Sequence, residues 1–448
     1  MNPCAWPERW RIEGALILAA AGGEPFRGAI EIAGGRIVAL GPALPPAGEG
    51  VARFSRPGAL VLPGFVQGHV HLCQTLLRGL AEDLPLERWL RERIWPLEAA
   101  HDPESLRASA RLGLAEALLQ GATTLLDMGT VRHTEVIAAE AVASGARVRI
   151  GKALMDAGDG VPAALLEEPG RALREALDLD RRWSGAAEGR IGVLLAPRFT
   201  LSVSAGLWRE IAAAARERRL AVHTHASETT AENEACRRLH GGRPIEMLER
   251  WGVLAGPTIL VHAVHLTAEE IELLARRPAA VVHCPGSNAK LGSGIADLAA
   301  MDRAGIPLAL GSDGAACNDA LSVPAEMRLA AQLQSLRQGP GLLGARRILA
   351  MATGGGARAL GLEGEIGALA PGKRADLIVY DEVELAWEEE ADIASRLVYA
   401  SAGLRPREVY VDGRPLVLEG RLVRADLAAI RAAAARARAR LLARAGWR

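Results

Sequence analysis

The run Leu62-Pro63-Gly64-Phe65-Val66-Gln67-Gly68-His69-Val70-His71-Leu72 is apolar, opens through Pro-Gly and closes on two histidines one residue apart. Side chains alternate faces along a β-strand, so His69 and His71 share a face and can present two imidazole nitrogens to one cation. Val70 faces the other way. A bare His-x-His also describes two packed or exposed histidines, and company decides between the readings. His225, His262 and Asp313 each follow a further short β-like run downstream.

Outward from this stretch, a short buried strand followed by a helix repeats along the chain. Eight candidate strands span Val61–Val70, Thr123–Met128, Arg147–Met155, Ile191–Ala196, Leu220–His225, Thr258–Ala263, Ala279–Cys284 and Leu308–Ser312. Helical periodicity marks Pro103–Leu119, Thr134–Ser144, Ala205–Arg218, Pro244–Trp251, Ala268–Arg276 and Ile295–Ala304. Eight strands with intervening helices predict an α/β fold, a (β/α)8 TIM barrel over residues 62–361. Before and after it the pattern is β-like, with Gly and Pro as punctuation. Residues 1–61 and 362–425 are therefore expected to build one small composite β-domain. The Ala- and Arg-rich run Leu427–Arg444 reads as a helix within 426–448, packed on the surface or on a second subunit.

With 448 residues and 50% hydrophobic content, the chain can bury a large core. Lys+Arg and Asp+Glu balance at 53 each, and no basic block is interleaved with aromatics. That charge pattern points away from nucleic acid and from an anionic membrane surface. No run reaches transmembrane length, and the start carries no basic segment followed by an apolar one, so a cytoplasmic protein is expected. Cys4, Cys73, Cys236, Cys284 and Cys317 are odd in number and lack Cys-x-x-Cys spacing, which predicts free thiols. A homo-oligomer is expected.

The chemistry lies at the strand ends, where a parallel barrel places its functional groups. His69 and His71 close the first strand, His225 the fifth, His262 the sixth, and Asp313 follows the eighth. Three imidazoles and a carboxylate suit Zn²⁺ first and Fe²⁺ second, with a position left for water. Such an ion lowers the pKa of its water toward neutrality. A carboxylate must then move protons, and Glu228, three residues after His225, is placed for it, although it could instead cap the helix that follows.

Taken together, Pro-Gly-Phe-Val-Gln-Gly-His69-Val-His71, His225-Ala-Ser-Glu228, His262-Ala-Val-His265, His283-Cys-Pro-Gly-Ser-Asn288 and Gly-Ser-Asp313-Gly-Ala-Ala resemble the amidohydrolase superfamily over nearly the whole chain. Thr75-Leu-Leu-Arg-Gly-Leu-Ala-Glu-Asp-Leu84, Trp95-Pro-Leu-Glu98 and Asn288-Ala-Lys-Leu-Gly-Ser-Gly294 are similar to the deaminases of S-adenosylhomocysteine, methylthioadenosine or 5′-deoxyadenosine. The triazine chlorohydrolases are their relatives. The resemblance implies a distorted barrel, a flanking β-sandwich and one divalent metal ion held by His69, His71, His225 and Asp313. It further implies that Glu228 carries a proton from water to the purine ring nitrogen, that His262 helps polarise the nucleophile, and that Asp313 receives the second proton. Glu98 matches the acid that binds the ribose hydroxyls. His223, His265 and His283 receive no role beyond structure.

Two positions depart from the pattern. Lys152 stands where S-adenosylhomocysteine deaminases carry an arginine for the amino-acid tail, and the loop Asp156–Leu166 lacks the second arginine expected there. Arg198 stands where a histidine is expected after strand four. Glu98, Lys152, Arg198 and Glu228 are the candidate substrate contacts, and a small uncharged 5′ group is favoured. The expected activity is hydrolytic deamination of a 5′-modified adenosine. An s-triazine or free-base hydrolase would need the same metal site without Glu98, and a metal-free scaffolding barrel would need neither.

Overall fold

The computed structural model describes residues 6–381 and 392–447. Cys4, the stretch 382–391 inside the expected second β-span, and residue 448 at the end of the expected terminal helix lie outside the described residues.

The stretch expected as one strand is two. Leu60–Pro63 pairs in parallel with Leu16 and Ile17 and antiparallel with Leu377–Tyr380, whereas Phe65–His71 pairs in parallel with Ala122–Asp127. The chain changes sheet at Gly64, whose amide donates to Asp376 O at 3.0 Å. A Cβ at Gly64 would collide with the Thr123 side chain, so only glycine lets the chain pass.

From Phe65–His71 the parallel sheet runs through Ala122–Asp127, Arg147–Leu154, Ile191–Pro197, Val222–Ala226, Thr258–His262, Ala279–His283 and Leu308–Leu310. The two-residue strand Asp313–Gly314 then pairs with Val70 and His71. The two ends of the sheet are thus pieces of one short stretch of chain, and the sheet curls round to meet itself. At the seam a Cβ on Gly311 would stand 2.8 Å from the His69 amide nitrogen, so glycine permits the close approach. Leu126, Leu194, Ile259, Val261, Val282 and Ala309 fill one buried cluster, and a larger one lies between strands and helices.

A second, mixed sheet draws on both ends of the chain, as the β-like terminal stretches predict. Its order is Arg421–Leu422, Arg414–Leu418, Glu408–Val411, Leu377–Tyr380, Leu60–Pro63, Arg9–Ile17, Phe26–Ala33 and Arg36–Gly41, with Ala52–Ser55 beside Arg9–Ile17. The rings of Trp6, Trp10, Phe54 and Tyr410 knit it together, with Trp10 and Tyr410 centroids 4.8 Å apart.

Helices Pro103–Leu119, Thr134–Ser144 and Ala205–Arg218 match their sequence expectation, while the one expected over Ile295–Ala304 starts at Leu298. The reason is local: the Asp297 side chain accepts from the Ala300 amide at 2.9 Å and caps the helix there. Helix Leu427–Arg444 turns Ile430, Ala434, Ala437 and Leu441 inward. Its Arg440 and Arg444 reach Glu104 and Asp102, at the start of helix Pro103–Leu119, at 2.5 and 2.9 Å. It therefore packs on its own chain. Among the described residues no helix is long and apolar enough to cross a membrane.

A buried ionic cluster joins the two sheets. Arg147, at the start of its strand, donates to both oxygens of Asp376 at 2.9 and 3.0 Å and to Asp412 at 2.6 Å. Asp412 also meets Arg374 at 3.0 Å and Arg190 at 3.3 Å. Replacing Arg147 by Met leaves two buried carboxylates short of a partner, and loss of one member of a buried pair costs about 3–5 kcal/mol. Urea unfolding of Arg147→Met is expected to show a loss of that size, and a loss below about 1 kcal/mol would refute the anchoring role.

Candidate metal centre and catalytic cavity

Four side chains converge at the C-terminal ends of the strands. His69 Nε2 stands 3.2 Å from His225 Nε2 and 3.3 Å from Asp313 Oδ1. His71 Nε2 stands 3.3 Å from His225 Nε2 and 3.4 Å from the same carboxylate oxygen. A tetrahedral centre with bonds of about 2.0–2.1 Å holds neighbouring donors about 3.3–3.4 Å apart, so the spacing fits a divalent cation.

The protonation of the rings supports that fit. Burial drives His71 and His225 well below the ordinary histidine range and lowers His69 too. Burial by itself would raise Asp313, but the hydrogen bond and charge of His69, with His71 and His262, hold it well below the usual carboxylate range. Three imidazole nitrogens and a carboxylate oxygen within 4.8 Å of one another are an arrangement a cation satisfies.

Ring orientation is fixed from behind, as good ligands require. His225 Nδ1 donates to the Arg198 carbonyl at 2.7 Å, and His69 Nδ1 lies 2.9 Å from His223 Nε2. Both leave Nε2 turned to the centre. His223 thus supports the site, a role its sequence position did not reveal. His265 Nε2 donates to the Ser293 carbonyl at 2.6 Å, while His283 is buried with neither ring nitrogen bonded within the protein.

The remaining groups approach from other strands. His262 and Asp313 both sit at positive φ, +71° and +62°, which turns their side chains in toward the centre. His262 Nε2 is 3.4 Å from Glu228 Oε2 and 3.8 Å from Asp313 Oδ2. Burial raises Glu228, opposed chiefly by the charge of His262. The Glu228 amide donates to Glu232 Oε2 at 2.7 Å, and burial pushes Glu232 up to about 7.

Over the centre opens a narrow cavity of about 40 Å³, reached by His71, His225, Glu228, His262 and Asp313. Leu86, Trp89, Leu90, Phe199 and Leu291 give it apolar walls. Glu98 meets Arg198 through both oxygens, at 2.5 and 3.2 Å, and accepts from Gln74 Nε2 at 2.8 Å. The sequence offered Glu98 and Arg198 separately; it did not single out Gln74 and could not show that the three form one unit.

Lys152 lies elsewhere. Its ammonium is buried against Glu167 at 2.6 Å, with Glu175 at 3.9 Å, beside a different cavity lined by Arg132, Glu135 and Arg171. It is not among the residues lining the space over His71 and Asp313. Cys73, Cys236, Cys284 and Cys317 are free and buried, in keeping with the expected thiols. Cys73 lies near Glu98, and burial raises its thiol well above the ordinary range.

Residues 60–416 match the Amidohydrolase family. The chain is 42% identical to a 5-methylthioadenosine/S-adenosylhomocysteine deaminase of Halobacterium salinarum, covering 92% of this chain and 93% of the relative. It is 37% identical to a 5′-deoxyadenosine deaminase of Methanothermobacter thermautotrophicus, covering 92% and 93%. An adenosine deaminase of Xanthomonas campestris, solved with bound zinc, superposes with a TM-score of 0.89 at 33% identity, covering 97% of this chain and 98% of that one.

Of the four converging donors, His71 can be removed with the least disturbance, because its ring bonds only within the centre. His71→Ala is expected to lose tightly bound divalent metal, read by elemental analysis of the purified protein. Full occupancy in that variant would refute the donor set.

Proposed function

The chain belongs to the amidohydrolase family, and on that premise we propose that it hydrolytically deaminates 5′-modified adenosines, giving the inosine analogue and ammonia. The observation that carries this reading is the meeting, in one cavity, of the His69–His71–His225–Asp313 cluster with Glu228 and His262. A scaffolding barrel would have no use for that arrangement. The balanced charge of 53 acidic and 53 basic residues suits a small nucleoside better than a polyanion. Within this reading, residues 62–361 act as a distorted catalytic barrel, 1–61 with 362–425 as a small β-sandwich, and 426–448 as a flanking helix.

A divalent ion held by His69, His71, His225 and Asp313, Zn²⁺ first among candidates, would lower the pKa of a water and supply the nucleophile near neutral pH. The protein must then move two protons. Glu228, kept raised by burial, accepts one from the attacking water and delivers it to the purine ring nitrogen beside the reacting carbon. His262, within reach of Glu228 and Asp313, stabilises the charge that develops between them. Asp313 takes the second proton to the departing amine. A carbon–oxygen bond forms, the carbon–nitrogen bond breaks, and both protons of the water end on nitrogen, so the equation balances.

Glu98 and Arg198 face the sugar. The carboxylate accepts from ribose hydroxyls while the guanidinium, bonded to both of its oxygens, keeps the acceptor fixed. Beyond the ribose the walls are apolar, and Lys152 is neutralised by Glu167. An uncharged 5′ substituent fits these surroundings better than an amino-acid tail.

Glu228→Gln is expected to keep its metal and lose turnover by at least roughly a hundredfold, the order for removing a general acid/base. Near-normal ammonia release from a metal-loaded Glu228→Gln protein would place the proton transfer elsewhere.

At Glu98 the informative variant is Gln, since deleting the side chain would strand the Arg198 charge. Glu98→Gln weakens the hydrogen bonds to the ribose by about 1–3 kcal/mol, so kcat/KM should fall for nucleosides and hold for a free base such as adenine. Equal loss on both would refute the ribose contact. On the wild type, 5′-deoxyadenosine and methylthioadenosine are expected to exceed S-adenosylhomocysteine in kcat/KM, and the reverse order would refute the uncharged 5′ group.

A further inference from the structure

His262 and Asp313 stand on two different strands and Glu228 just beyond the end of a third, Val222–Ala226, and one short stretch of chain touches all three. Ser287 Oγ donates to Asp313 Oδ2 at 2.7 Å. His262 Nδ1 donates to Asn288 Oδ1 at 2.8 Å. Ser293 Oγ donates to Glu228 Oε1 at 2.9 Å. All three partners are buried: Ser287 and Asn288 are fully enclosed, and Ser293 is 3% exposed.

The stretch is itself held firmly. Glu326 accepts from the Gly286 amide at 2.9 Å, Ser293 N donates to Asn288 O at 2.8 Å, and His265 Nε2 donates to Ser293 O at 2.6 Å. Each bond has a directional consequence. With Nδ1 committed to Asn288, the His262 ring turns Nε2 toward Glu228 and Asp313. With Oε1 committed to Ser293, Glu228 keeps Oε2 on the side of His262. A glutamate has three rotatable side-chain bonds, and a proton carrier that wanders loses the geometry on which transfer depends.

We propose that residues 287–293 form a clamp that sets the three proton-handling groups relative to one another, and that Ser293 is the positioning residue for Glu228. The proposal rests on the deaminase reading above. Ser293 touches no reacting atom; it acts through the carboxylate it holds.

The test is a double-mutant cycle between Ser293 and Glu228 on metal-loaded full-length protein, with 5′-deoxyadenosine as substrate and ammonia release as readout. Ser293→Ala is expected to lower kcat roughly tenfold, the size of one lost hydrogen bond to a charged group, with KM within twofold. Metal content and melting temperature should match wild type, and Ser293→Thr, which keeps the hydroxyl, should retain most of the rate. In the Glu228→Gln background, Ser293→Ala should change kcat by less than about twofold, because the group it positions no longer carries the proton. Wild-type turnover together with loss in Glu228→Gln sustains the deaminase reading. On that footing, unchanged kcat in Ser293→Ala, or a full tenfold further loss in the double variant, overturns the clamp alone. No ammonia release by the wild type overturns both.

Discussion

The hydrogen bonding of Asp313–Gly314 to Val70–His71 is the contact on which the rest of this molecule depends. It brings the last strand of the parallel sheet beside the first and so makes the sheet meet itself. By the same act it sets the Asp313 carboxylate against His69 and His71, at 3.3 and 3.4 Å. Closure of the fold and assembly of the donor cluster are therefore one event. Gly311 matters to both, since any side chain there would press on the His69 backbone and hold the strands apart.

Enclosure by a sheet that meets itself then determines the electrostatics. Deprived of water, His69, His71 and His225 are lowered from the ordinary histidine range, while the Asp313 carboxyl among them is held well below its own. Such a set is costly when empty and well matched to a divalent ion. Glu228, a short distance away and lacking that concentration of imidazole, is shifted upward instead. Two carboxyl groups in one cavity are thus pushed in opposite directions by their surroundings, the difference that the proposed roles of ion holder and proton carrier call for.

The two ends of the parallel sheet serve different needs. At the ends that carry His71, His225 and Asp313 the backbone is forced into positive φ at His262 and Asp313 and polar atoms crowd together. Near the beginning of Arg147–Leu154, the buried Arg147–Asp376–Asp412 cluster fastens the parallel sheet to the mixed one with short bonds.

Much of this was legible in the sequence. Short apolar runs marked eight of the nine strands of the parallel sheet, all but Asp313–Gly314, and the period of two along Phe65–His71 put His69 and His71 on one face. Both are local properties, set by neighbours a few residues away. His225, His262, Glu228 and Asp313 could be singled out because each follows directly on such a strand. The tertiary structure decided what depends on residues far apart in the chain. The chain changes sheet at Gly64, where a Cβ would meet the Thr123 side chain, and the pairing of Glu98 with Arg198 spans 100 residues. Lys152 faces Glu167 rather than the catalytic cavity, and His223, Ser287, Asn288 and Ser293 gained their roles only through partners on other strands. Periodicity fixes which face of an element a residue occupies, but the partner met across that face is set by how the elements pack, and packing is a property of the whole chain.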